Sequence, residues 1–545
     1  MKKNSLTSRR EFIQVMGKGA IAGMVASPIL SFLGCATSSP KTIASSAPSL
    51  LQPIQPSSAD TFILSPSLRH SELIRWNNPI NAAGEKFGFN NDYLDFIPVK
   101  PGNFDDMLLW VNHEYPHPIL QNGYDGSSAK TKAQVEIEMD SIGGSIVRIK
   151  RNAAGEFDWV KNDPLNRRVH ARTKIPFAGG ISIAGKREAL GTLSNCAGGL
   201  TPWRTFLTCE ENYDLFYGER ILGRKYATYE RAKFEWYRYY DLPPEHYGWV
   251  VEVDPFSGAA KKLVSMGRFA HEGATIKLAK DGRPVAYMGD DVNAGCIYKF
   301  ISDRPGSLEK GTLYVANTQE GRWIPLDRKK NPKLVNNYKS QLDVMIDARY
   351  AAVVAGGTPL DRPEDIEISP ITGDIVIALT NNYPKEVYFG SLLKISEKNN
   401  DPLALEFEAQ NLISGGLESG FACPDNLEFD QNGNLWFTTD MSDEEMNKGR
   451  YAPFKNNGLF VVMMNGSQAG KPQQIASGPT DAELTGLKFT PDYKSLFISV
   501  QHPGAQTKDL KNPTSHWPDG GDSLPAPAVV QISGEALEKI ARRKS

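Results

Sequence analysis

The sequence predicts an all-β fold: a β-propeller of roughly six blades with loop and short helix insertions. Three observations carry that prediction. Stretches with a 3.6-residue apolar period are few, the better ones being Tyr226–Tyr240 and Gly534–Arg543, while short β-rich runs separated by Pro, Asp or Gly turns recur. Four of these turns follow strand-like runs: Asp254–Gly258 after Val250–Val253, Ser369–Gly373 after Ile366–Ile368, Asp430–Asn434 after Leu427–Phe429, and Thr490–Lys494 after Leu487–Phe489. Their first residues stand 115, 61 and 60 positions apart, the first interval close to twice the others. A period near 60 with a hairpin at its centre signals blades, because each blade buries its faces only against its neighbours. Spread over roughly 490 residues, it gives on the order of six to eight units, with loop insertions. Loops between blades gather around a central channel, so polar residues just ahead of one strand can meet others hundreds of positions away.

Composition narrows the class. The 545 residues are 40% apolar and 10% aromatic, enough for sizeable cores and against a wholly disordered chain. Sixty-one Lys and Arg against 63 Asp and Glu give a net charge of −2, so no basic field calls for nucleic acid. Five cysteines are too few for a disulfide scaffold.

Residues 1–35 read as an address. Ser8-Arg9-Arg10-Glu11-Phe12-Ile13 is similar to the twin-arginine export consensus, and a weakly apolar, glycine-broken run follows from Val15 to Leu33. Phe32-Leu33-Gly34-Cys35 is similar to a lipoprotein cleavage box, with Cys35 as the residue to be acylated. Residues 36–58, rich in Ser, Ala, Pro and Thr, read as a tether, and 59–545 as the propeller. The expectation is a periplasmic or cell-envelope protein, handled by the twin-arginine translocation machinery and anchored by lipid at Cys35.

The chemistry-bearing residues sit beside strands. They include Asn112-His113-Glu114, Asn195-Cys196, Thr208-Cys209-Glu210-Glu211, His271-Glu272, Asp290-Asp291, Arg362-Pro363-Glu364-Asp365, Pro424-Asp425-Asn426 and Glu483 with Gln501-His502. Carboxylates recur in six such loops, and burying them together unpaired costs several kcal/mol each. A hard cation such as Ca²⁺, with six to eight oxygen ligands, removes that penalty. Cys209 beside Glu210 and Glu211 is the odd member, since a thiolate suits a softer or more strongly Lewis-acidic ion such as iron or zinc. On the strand pattern alone, Cys209 alternates with Leu207 and also fits a core cysteine, and His271 fits a core histidine.

With these pieces in family order from about 110 to 520, the chain resembles the PhoX-type alkaline phosphatases. Further matches are Thr201-Pro202-Trp203, Gly267-Arg268-Phe269-Ala270, Ile297-Tyr298-Lys299-Phe300, Gln501-His502-Pro503-Gly504 and Ser515-His516-Trp517-Pro518-Asp519-Gly520. The resemblance implies a propeller whose active site lies at one end of its channel. It also implies a mixed cluster of ferric iron (Fe³⁺) and calcium joined by an oxo group and acting on small phosphate esters. Carried over, it makes Cys209 and Glu272 iron ligands, and Glu210, Glu364, Asp365 and Asp291 calcium-holding or bridging residues. The same resemblance implies Arg362, which would grip the phosphate, and Asn195 as the catalytic residues. Two departures from the family pattern stand out: Arg204 after Thr201-Pro202-Trp203, and Asn166-Arg167-Arg168-Val169-His170-Ala171. Arg204 is expected either to add a phosphate contact or to narrow the site.

Two rival readings follow from parts of the sequence. Pro424-Asp425-Asn426-Leu427 with Asn432-Gly433-Asn434-Leu435-Trp436 also looks like the calcium-dependent lactonase propellers. The other rival is a non-catalytic propeller of the envelope in which metals serve only structure.

Overall fold

The computed structural model describes residues 50–219 and 232–543. The export leader, Cys35 and the tether as far as residue 49 lie outside the described residues. Six antiparallel sheets of four or five strands make the body, with one two-stranded hairpin, Lys174–Pro176 against Glu188–Leu190. The inner strands of blades 1 to 6 are Asn91–Pro98, Asn195–Leu200, His271–Leu278, Pro363–Ile368, Pro424–Phe429 and Glu483–Phe489. Each packs against the inner strands before and after it, and the sixth packs against the first, so the ring closes.

The early part of the chain makes that closure. Arg69–Arg75 pairs with Ala528–Ser533 as the outermost strand of blade 6, and Ile63–Leu64 pairs with Pro472–Ser477 on blade 5. Within residues 50–58 the chain, though half exposed, is tied to the body at points, Ile54 N donating to the Gln474 carbonyl at 2.9 Å. Leu51 is buried in the core between blades 5 and 6, and the Ser57 carbonyl accepts from Asn456 N at 3.0 Å. Asp60 then accepts from Ser515 Oγ at 2.6 Å and His516 N at 2.7 Å, which gives the Ser515–Gly520 motif a clasping role.

Second strands are buried along nearly their whole length because each is covered on both faces by neighbouring blades. Met107–Val111, Ile375–Leu379 and Leu435–Thr439 are buried at every residue, so they show no period-2 alternation. The 60-residue period holds for blades 4 to 6, whose inner strands start at 363, 424 and 483. Earlier blades carry insertions, including the helices Lys132–Ser141 and Ala348–Ala355. Asp254–Gly258 is out of phase with the other three turns: it joins the outer strands of blade 2, whereas those follow inner strands.

Gly534–Arg543 contains the helix Glu535–Ala541. Of Tyr226–Tyr240, the part from 232 is described and holds only a 3-10 turn, Trp236–Arg238. There Phe234 and Trp236, two apart, both pack on Phe216, at 4.9 and 4.7 Å between ring centres, which is not a helical spacing. No helix among the described residues is long and apolar enough to cross a membrane.

Candidate metal centre at the channel mouth

The inner strands all begin at one end of the channel, and all six are bulged near that end. Register to the second strand shifts between Asn91 and Leu94, Asn195 and Gly198, Glu272 and Thr275, Pro363 and Ile366, Pro424 and Leu427, and Thr485 and Lys488. Each bulge sets two residues against one and re-aims the side chains beside it. In four blades the residue just before the strand is left-handed: Asn90 (φ 48°), Ser194 (49°), Arg362 (53°) and Cys423 (53°). Such a backbone costs a non-glycine residue about 1 kcal/mol. A strained turn followed by a bulge, repeated around the ring, points side chains into the channel mouth that regular strands would send elsewhere.

What gathers there is a chain of metal donors. Asp92, Glu114 and Cys196 form one group, Cys196, Glu211 and Glu272 a second, and Glu272, Glu364 and Asp425 a third; within each, ligand atoms lie within 4.8 Å of one another. Sharing Cys196 and Glu272 makes the three groups continuous. Cys196 Sγ lies 3.1 Å from Asp92 Oδ2 and 3.3 Å from Glu272 Oε1. Gln501 Nε2 ties Asp92 to Glu114 at 3.2 and 2.9 Å, and Asn112 Nδ2 holds the bulge carbonyls of Cys196 and Ala197 at 2.5 and 2.9 Å. Above the donors opens a cavity of about 200 Å³ lined by Tyr115, Asp291, Arg362, Asp440, Glu483 and His502. Arg362 gives Nε and Nη2 to the two oxygens of Asp291 at 2.8 and 2.7 Å, and Nη2 also meets Glu364 Oε1 at 2.8 Å.

The charge balance of this site asks for cations. Burial first, and neighbouring carboxylates next, push Glu211, Glu272, Glu364 and Asp425 well above the usual carboxylate range, and Glu114 to about 8. Glu211 Oε1 and Glu272 Oε2 are buried with no hydrogen-bond partner. Orphaned buried oxygens, several carboxylates and one thiol form a donor set that polyvalent metal ions fit.

The structure brings Glu272, Asp291, Glu364 and Arg362 together, and places four other expected residues elsewhere. Cys209 lies in the apolar core among Leu207, Trp249 and Met288, because a regular strand turns alternate residues inward. Glu210 is a structural anion: it pairs with buried Lys262 at 2.6 Å and accepts from Leu193, Gly248 and Trp249 N. Asp365 points away from the donors, accepting from Leu427 N at 2.9 Å and so joining blade 4 to blade 5. Asn195 is fully buried, donating to Thr192 and Thr208 Oγ1, so it braces the bulge of Cys196 rather than facing the cavity. His271 bonds the Gly267 carbonyl at 2.8 Å as a core histidine. All four described cysteines are free.

Neither sequence departure reaches the cluster. Arg204 sits in the turn at the far end of blade 2's inner strand, bonded to the Pro98 carbonyl and stacked on Phe256, so it neither contacts nor narrows the site. Arg168 is enclosed by the carbonyls of Lys86, Ile142 and Gly144 on blade 1. Asp92, Glu114, Cys196, Glu211 and Asp425 are the donors that sequence reasoning did not assign. Their shared signal is position: all but Glu114 and Glu211 are second residues of inner strands, and those two follow second strands.

The family model described as alkaline phosphatase PhoX matches residues 50–504. Among solved structures, Pseudomonas fluorescens PhoX in complex with vanadate, a transition state analogue, is 28% identical, with a TM-score of 0.79 over 89% of this chain and 98% of its own. A Xanthomonas campestris gluconolactonase aligns at 10% identity and a TM-score of 0.31, covering 89% of this chain and 98% of its own. A Dyadobacter fermentans protein of unknown function aligns at 9% and 0.41, covering 86% and 100%. No curated protein sequence matches the chain.

Proposed function

The chain belongs to the PhoX family of alkaline phosphatases, and on that premise we propose that it hydrolyses phosphomonoesters outside the cytoplasm with ferric iron and calcium held at the channel mouth. The observation that carries the reading is the continuous donor set from Asp92 to Asp425, with Arg362 beside it. Cys196, the one thiol and a member of two of the groups, would hold iron together with Glu211 and Glu272; the carboxylates on either side, Glu364 with Asp425 and Asp92 with Glu114, suit calcium. When bound, these ions supply Lewis acidity and neutralise the charge that builds on a phosphoryl group.

The protein's own residues then bind and orient. Asp291 and Glu364 fix the plane of Arg362, whose five N–H donors exceed what two carboxylates use, so the fork can also take phosphate oxygens. The vanadate bound by the Pseudomonas fluorescens protein mimics a phosphoryl group in transit, and a cavity of about 200 Å³ has room for one here. Tyr115 and His502, stacked at 6.1 Å, form part of its wall.

The test is hydrolysis of p-nitrophenyl phosphate by the metal-loaded protein before and after a calcium chelator. Activity removed by the chelator and restored by calcium is expected; a sample containing both metals and inert to phosphoesters contradicts the reading. Export by the twin-arginine route and lipid attachment at Cys35 complete the proposal. Replacing Arg9 and Arg10 by Lys should keep the protein in the cytoplasm, and Cys35→Ser should release it from the membrane fraction.

A further inference from the structure

The phosphoryl pocket is polar on every side but one. There it shares the lining residues Tyr115 and Asp443 with an adjoining cavity of about 510 Å³. The apolar part of its lining is supplied by Pro116, Pro118, Ile119, Tyr124, Leu215 and Phe234. Phe234 is buried, and Ile119 and Tyr124 are half-buried. The walls are braced: His117 Nε2 meets the Ala505 carbonyl at 3.0 Å, and Lys130 Nζ, paired with Glu138 at 2.8 Å, lies 5.1 Å from the Tyr124 ring centre and 5.5 Å from that of Phe234.

Charge at this cavity decides what it takes. Lys233 and Lys508 on its lining are matched by Asp125 and Glu444. Lys130 is neutralised by Glu138, which leaves Asp443, accepting from Gln506 Nε2 at 2.8 Å, as the unmatched charge on the lining. With a balance of one negative charge, a second anionic group is disfavoured there, while a flat apolar group gains burial. When the ester P–O bond breaks, water oxygen joins phosphorus and the alcohol oxygen leaves with a proton; that alcohol must project from the pocket, and this is the side with a preformed apolar wall.

We propose that this cavity is the leaving-group subsite and that it selects phosphomonoesters whose alcohol carries an aromatic ring. The proposal rests on the phosphatase reading. Its test compares competitive inhibition by inorganic phosphate with inhibition by 2-naphthylmethylphosphonate, against p-nitrophenyl phosphate hydrolysis, in the metal-loaded protein and in Ile119→Ser, Tyr124→Ser and Tyr124→Phe. Both Ser variants should bind the aryl phosphonate about 5–10-fold more weakly, with phosphate inhibition unchanged within twofold, and Tyr124→Phe should behave as wild type. Aryl binding unchanged in both Ser variants, or weakened equally with phosphate, overturns the subsite and leaves the phosphatase reading standing. A wild-type protein that hydrolyses no phosphoester overturns both.

Discussion

Gly289 offers a sharp perturbation of the site without touching a functional side chain. It lies in the second strand of blade 3, and a Cβ placed there would stand 2.3 Å from the Pro363 carbonyl oxygen and 2.6 Å from that of Glu364. Ordinary contact begins at 3.4 Å, so the inner strand of blade 4 must retreat by about 1.1 Å in a Gly289→Ala protein. Both obstructing atoms are backbone, so no side chain can swing away. Overpacking of this kind costs about 1–3 kcal/mol, which a domain this size survives. The retreat carries Arg362 and Glu364 with it, and a misplacement near 1 Å costs on the order of 100-fold in rate. The expected outcome is therefore a folded protein whose kcat/KM for p-nitrophenyl phosphate falls about 100-fold. Gly155→Ala is the control: φ is +85° and nothing lies within 4 Å, so it pays only about 1 kcal/mol of backbone strain and keeps its activity. A Gly289→Ala enzyme within twofold of wild type would refute the reasoning that blade 4 is seated by this contact.

Three further outcomes follow from other parts of the structure. Lys262→Met leaves Glu210 charged and buried, so the urea midpoint should drop by an equivalent of about 3–5 kcal/mol while the folded fraction keeps its metals; adding Glu210→Leu should recover most of the loss. Arg362→Ala should cut kcat/KM by about 100-fold or more and raise the inhibition constant of inorganic phosphate, read in the same steady-state assay. His170 is held at a pKa of about 4 by burial and then by Arg168 and Arg172. The unfolded chain therefore takes up this proton first, and stability falls as pH drops from 6.5 towards 4, by about 3 kcal/mol in all. Urea titrations across that range should show a shallower slope for His170→Asn.

The propeller was legible where blades are unadorned. Ser369–Gly373, Asp430–Asn434 and Thr490–Lys494 mark equivalent hairpins because blades 4 to 6 carry short connections, whereas helices inserted into the earlier blades stretch the period. The kind of site was legible as well, since carboxylates beside strands are local facts. Which thiol joins them was not. Cys209 sits in a regular strand, where its alternation with Leu207 already fitted a core residue, while Cys196 faces the channel only because Cys196 and Ala197 together oppose one residue of the next strand. A bulge is a property of a strand pair, so neither sequence segment announces it alone. The same limit separates Glu210 from Glu211: adjacent residues leave a strand end on opposite sides, one towards Lys262 and the other towards Glu272.

The central claim is that Cys196, and not Cys209, anchors a metal centre at the channel mouth. Iron and calcium content per chain, measured in the folded wild type, Cys196→Ser and Cys209→Ser proteins, tests it directly. The account predicts that Cys196→Ser loses iron together with chelator-sensitive phosphatase activity while Cys209→Ser retains both. Full iron in Cys196→Ser, or its loss from a folded Cys209→Ser protein, would contradict it.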